Sequence, residues 1–279
     1  MTKLRIARLG VERPLSTRSS SQTVDAHVRI VPGADRASWE GYKTSMEPNG
    51  VGQAVLVGSP DFVASQTLLE LAVADEVAAA AAWVNVTTKD VAERLDSLMV
   101  SPKFRSVALP VGREADNHWL VQPDTLRGLR LVAKRGLCVD VEIEPRQLPS
   151  VGELAAEIPE LRIAIAHIGS PFIARSEREP WGVHMLNVAP HKNVYAKMSG
   201  LVALDVQPWS VAHQRLFVES MVRMFGYDRL MFGSDWPGHV EFATYEQVRG
   251  AAALAAGPMT DAQQERLFGG TARAFYGLS

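Results

Sequence analysis

Residues 162–169 read Arg162-Ile163-Ala164-Ile165-Ala166-His167-Ile168-Gly169. An unbroken apolar run of strand length that delivers an ionisable residue at its C-terminal end is the pattern of a strand buried on both faces of a parallel sheet. Working outward, seven more runs of this kind occur, at 23–30, 52–59, 81–86, 106–111, 137–143, 194–200 and 229–236. The segments between them carry helical spacing, which predicts helices over 64–80, 90–99, 123–135, 151–158, 181–189 and 211–225. The first connection, 31–51, is the least regular.

Eight strands alternating with helices favour closure into a (β/α)8 TIM barrel, a single α/β domain over 23–279, with 1–22 as a flexible N-terminal segment. An open doubly wound sheet is the alternative. No Gly-x-Gly-x-x-Gly follows the first strand and no Gly-Lys-Ser/Thr loop occurs, so its nucleotide-binding forms lack their usual motif.

A composition of 47% hydrophobic and 22% charged residues supplies a sizeable core, and a net charge of −2 offers no basic field for nucleic acid. No stretch reaches the ~18 apolar residues of a membrane helix, and the Arg-rich start has no apolar segment of signal-peptide type. The single cysteine, Cys138, lies in an apolar run and reads as a buried thiol. A cytoplasmic enzyme acting on a small molecule is expected, with a homodimer as the default assembly.

In a barrel the chemistry belongs at the C-terminal ends of the strands. There the first strand carries Asp25, His27 and Arg29, the sixth His167, and the eighth Asp235 followed by Trp236. Alternation puts Asp25, His27 and Arg29 on one face. One such histidine is as often a satisfied core residue as a functional one, but three strand ends agreeing point to one site. Lys197 on the seventh strand either binds an anionic substrate or snorkels at the rim. Glu142 on the fifth either lines the mouth or pairs with Arg29 or Lys197; Asp140 shares its face. His239, just past the eighth strand, is expected with Trp236 at the substrate pocket. His118, His184, His191, His213 and Glu219 fall in loops or helices without metal-motif spacing and read as surface residues.

Val24-Asp25-Ala26-His27, Ala166-His167-Ile168-Gly169-Ser170-Pro171, Lys197-Met198-Ser199-Gly200-Leu201 and, most specifically, Met231-Phe232-Gly233-Ser234-Asp235-Trp236-Pro237 resemble the amidohydrolase superfamily. The likeness runs from Val24 to Leu278 and falls in the amidohydrolase-2 branch of L-fuconolactonase and 2-pyrone-4,6-dicarboxylate lactonase type. It implies Asp235 as general base on water, with His27 and His167 polarising a carbonyl. Two departures matter. Arg29 stands where the first-strand signature usually has a second histidine, and it cannot ligate a metal because it offers only donors. Ala108 stands where such lactonases commonly carry an arginine. The expectation is a hydrolase opening a lactone or related cyclic ester with polar or anionic substituents, with Asp235, His167, His27 and Arg29 catalytic. Arg29 would serve in place of a metal, so no cofactor is required; the alternative is one Zn2+ on His27, His167 and Asp235. The alternative functions are a decarboxylase or another lyase or cyclase on the same barrel, or a binding protein.

Overall fold

The computed structural model describes residues 23–31, 38–60 and 64–278. The segment 1–22 lies outside the described residues, as does part of the first connection. Eight parallel strands follow in sequence order: β1 (Thr23–Val28), β2 (Val51–Val57), β3 (Val77–Trp83), β4 (Phe104–Leu109), β5 (Cys138–Val141), β6 (Ile163–Ile165), β7 (Val194–Met198) and β8 (Leu230–Phe232). A parallel bridge between Val28 and Trp236 brings β8 back to β1 and closes the barrel. The expected single-domain (β/α)8 barrel is the observed fold.

The helices are α1 (Trp39–Met46), α2 (Ser65–Leu71), α3 (Val91–Leu98), α4 (Pro123–Lys134), α5 (Leu148–Glu157), α6 (Trp181–Val188), α7 (Val211–Phe225), α8 (Tyr245–Ala256), α9 (Asp261–Glu265) and α10 (Thr271–Tyr276). Local chemistry sets their starts. Thr244 accepts from the Gln247 amide while the Gln247 side chain accepts from the Thr244 amide, a reciprocal cap that opens α8. No helix among the described residues is long and apolar enough to cross a membrane.

One boundary is corrected. The helix expected over 64–80 stops at Leu71, and the alanine run that seemed to continue it is β3, paired with β2 and β4. Alanine favours helix, but pairing on both sides overrides so weak a local preference.

Two large apolar clusters make up most of the core. The larger lies between barrel and helices; a second, with Val24, Val55, Ala79, Cys138, Ala164 and Met231, fills the barrel interior and is plugged by Phe275 and Tyr276 of α10. Interior packing of this kind leaves only one end of the barrel for chemistry.

Candidate active site

The strand ends bring His27, His167 and Asp235 together. His27 Nε2 and His167 Nε2 each lie 3.9 Å from Asp235 Oδ1, and the two imidazole centroids are 4.6 Å apart. Arg29 pairs with Glu142 through a short contact, and Glu142 Oε1 lies 3.8 Å from His167 Nε2. These groups face a cavity of about 320 Å3, lined among others by Arg29, Glu142, His167, Leu204, Asp235 and Trp236.

Backbone strain and close packing hold the three central residues. β6 ends at Ile165, so His167 is not on the strand as alternation implied but in a turn with φ 51°; Asp235, past the end of β8, has φ 62°. Left-handed backbone at non-glycine residues is uncommon and concentrates at functional sites. A Cβ on Gly233 would lie 2.8 Å from His27 Cβ, one on Gly200 2.6 Å from His167 Nδ1, and one on Gly238 2.8 Å from Asp235 Oδ2. Each of the three site residues therefore has a glycine pressed against it.

Electrostatics sort the groups. Burial pushes His27 well below the usual histidine range, helped by the neighbouring His167, so its imidazole is neutral. Burial raises Asp235, opposed by His167 and Arg29. For Glu142, burial works upward but is outweighed by His167 and Arg29, which hold the carboxyl at about 2.

His27 is fully buried, yet neither ring nitrogen has a hydrogen-bond partner. An unpartnered buried polar atom costs about 1–3 kcal/mol, so the geometry asks for something between these side chains. Two imidazoles and one carboxylate, with ligand atoms all within 4.8 Å of one another, are the one such group of metal-binding type among the described residues. Three N/O ligands of this kind leave a fourth position open on a catalytic divalent ion. The residues fit that role; Arg29, a donor only, does not join the set.

Other expected site residues are displaced. Asp25 does not point into the site with His27: its carboxylate accepts from Tyr42 Oη (3.0 Å), Tyr245 Oη (2.8 Å) and the Ser234 amide (2.8 Å), and a register irregularity follows it before Val28. Lys197 does not line the cavity. It precedes the last residue of β7, is fully buried, pairs with Asp140, and donates to the Ala26 carbonyl at 2.8 Å. His239 is likewise off the cavity wall, buried with its Nδ1 3.0 Å from the Ser234 carbonyl and its ring against Trp236 and Tyr245.

The side chain just past β7 that does reach the site is Ser199, which the sequence reading did not name as a site residue. Its hydroxyl lies 3.1 Å from the His167 amide and 3.0 Å from His167 Nδ1. Alternation carried the signal, since Ser199 follows Lys197 by two residues. Of the histidines read as surface residues, His118 approaches Glu153 at 3.2 Å and His213 approaches Asp205 at 3.0 Å; neither enters the site.

The sequence model of a family described as Amidohydrolase matches residues 31–278. An L-fucono-1,5-lactonase of Burkholderia ambifaria is 33% identical over 191 residues, 68% of this chain and 66% of that protein, so the match spans just under two thirds of the relative. A second L-fucono-1,5-lactonase, from Burkholderia multivorans, is 30% identical over 225 residues, 76% of this chain and 75% of that one. The crystal structure of an amidohydrolase from Burkholderia multivorans with bound Zn is 25% identical, with a TM-score of 0.83 over 93% of this chain and 100% of that chain.

Proposed function

The chain belongs to the amidohydrolase family, and from that premise we propose that it opens a lactone or related cyclic ester by attack of water, with Asp235 as the general base. The observation that carries the reading is the convergence of His27, His167 and Asp235 on one point at the floor of an open cavity. The relatives named L-fucono-1,5-lactonase support the ester class.

The orphaned nitrogens of His27, and the zinc in the related amidohydrolase, favour one divalent ion over the metal-free chemistry expected from Arg29. Such an ion, held by His27, His167 and Asp235, supplies Lewis-acid polarisation of a carbonyl and acidifies water. The protein's own groups do the rest. Asp235, whose proton affinity is raised by burial, takes a proton from the attacking water. Arg29, on the cavity wall, faces the oxygen on which negative charge grows. The ring C–O bond then breaks, and the proton on Asp235 passes to the leaving oxygen, which gives a hydroxy acid. Ser199 fixes the His167 ring throughout.

Decarboxylation fits less well. Of the two cations that would hold a substrate carboxylate, Lys197 is buried against Asp140 inside the barrel, which leaves Arg29 alone on the cavity wall.

The test is metal content by inductively coupled plasma mass spectrometry, with acid release from a lactone panel before and after chelation. About one zinc per chain and turnover that chelation removes and zinc restores are expected. Acid release from no lactone would refute the function; full activity in metal-free protein would return the electrophile's role to Arg29.

A further inference from the structure

The catalytic cavity occupies only part of the barrel mouth. A second cavity, of about 310 Å3, opens at the ends of β3 and β4, lined by Trp83, Leu109, Val111 and Trp119 together with the polar Asn85, Arg113 and Glu114. The two cavities share a partition: the Glu142 amide donates to the Leu109 carbonyl at 2.9 Å, and the Gly112 amide to the Glu142 carbonyl at 2.8 Å. Glu142 itself lines the catalytic cavity.

The rings on its wall say what this second space would take. Trp83 and Trp119 are each only partly buried, and neither ring contacts another aromatic ring among the described residues. By contrast Trp181 is fully buried, edge-on to Phe217, with its indole N–H donated to the Ile168 carbonyl. Two large rings left without aromatic neighbours on a concave wall that also carries polar groups form a recognition surface for a flat ring.

Resting on the hydrolase reading above, we propose that the β3–β4 cavity is a second subsite that binds an aromatic ring attached to the hydrolysable lactone. Substrates would then be aryl-substituted lactones, with the reacting carbonyl at Asp235 and the aryl group against Trp83 and Trp119.

The test uses γ-phenyl-γ-butyrolactone and γ-butyrolactone. Binding is measured by isothermal titration in the full-length Asp235→Asn protein, where turnover does not interfere, and kcat/KM in the wild type. The phenyl lactone should bind at least tenfold more tightly than the parent, and Trp83→Leu or Trp119→Leu should remove most of that preference. Trp119→Phe, which keeps a ring and guards against a folding defect, should retain it. Equal binding of the two lactones, or a preference that survives both leucine variants, would overturn the subsite. If the preference holds in binding but the wild type releases acid from neither lactone, the subsite stands and the hydrolase reading falls.

Discussion

Lys197 and Asp140, inside the barrel, have their charges matched: the ammonium meets the carboxylate and the Ala26 carbonyl, and Tyr276 donates to Asp140 at 2.8 Å. At the strand ends His27, His167 and Asp235 are almost as deeply buried, yet His27 has no partner on either nitrogen and His167 and Asp235 stand on left-handed backbone. Both clusters put ionisable groups where water is excluded. The first is arranged so that the fold survives them, the second so that their unmet demand is left for a ligand. Stability and function thus draw on neighbouring groups of similar chemistry, and truncation should separate the two.

The largest effect is expected at Asp235. Asp235→Asn removes the base but keeps the shape, so turnover should fall by about 10²–10⁴-fold. In chelated protein its melting temperature at pH 7 should hold or rise. A carboxyl raised by burial makes the fold less stable as pH climbs from the unfolded value through the folded one, and asparagine does not ionise. Lys197→Met should do the reverse in kind. It strands the Asp140 carboxylate and should cost about 3–5 kcal/mol in urea unfolding, and Lys197→Met with Asp140→Asn should recover part of that loss. A drop in stability at Asp235→Asn equal to that at Lys197→Met would erase the contrast.

The barrel was legible because eight apolar runs alternate mostly with stretches of helical spacing, and His27, Arg29, His167 and Asp235 were legible because ionisable residues at the ends of such runs are conspicuous. What escaped depends on distance in the chain or on a single shifted residue. Asp25 shares a face with His27 by alternation in sequence, but a register shift separates Asp25 from Val28, and two tyrosines, 17 and 220 residues away, hold its carboxylate apart from the site. Lys197 looks like a strand-end residue until the register places it opposite Met231 of the interior cluster. The role of Gly200 as the backing of His167 appears only when the seventh strand lies beside the turn after the sixth.

His239 sharpens the contrast at a smaller scale, as a buried group near the site with Nδ1 held against the Ser234 carbonyl and Nε2 without a partner. Burial pushes it down to about 4, from an ordinary value of 6.5. Between those two values the unfolded chain binds a proton that the folded one refuses, so stability is lost as pH falls from 6.5 towards 4. The shift corresponds to about 3 kcal/mol across the window. Thermal unfolding followed from pH 7.5 to 4.5 should therefore show a shallower decline in His239→Asn than in the wild type. Parallel curves would mean that His239 titrates alike folded and unfolded.

Gly200→Ala tests the boundary between the two clusters, because two effects of opposite sign meet there. Alanine restricts the unfolded chain and would stabilise a compatible site by about 0.4–1 kcal/mol. Gly200 is not compatible: its φ is +68°, and the added Cβ would lie 2.6 Å from His167 Nδ1, where Ser199 already holds the ring. Left-handed backbone at alanine costs about 1–2 kcal/mol, so a net loss of roughly 1 kcal/mol is expected before the contact is counted. The ring can relieve the contact only by leaving Ser199 or by tilting towards Asp235. Either movement spoils the convergence that the proposed chemistry needs, so kcat should fall by at least tenfold while stability changes far less than in Lys197→Met. Full activity in Gly200→Ala would show that the position of His167 is not critical, and would move the weight of the site onto His27 and Asp235.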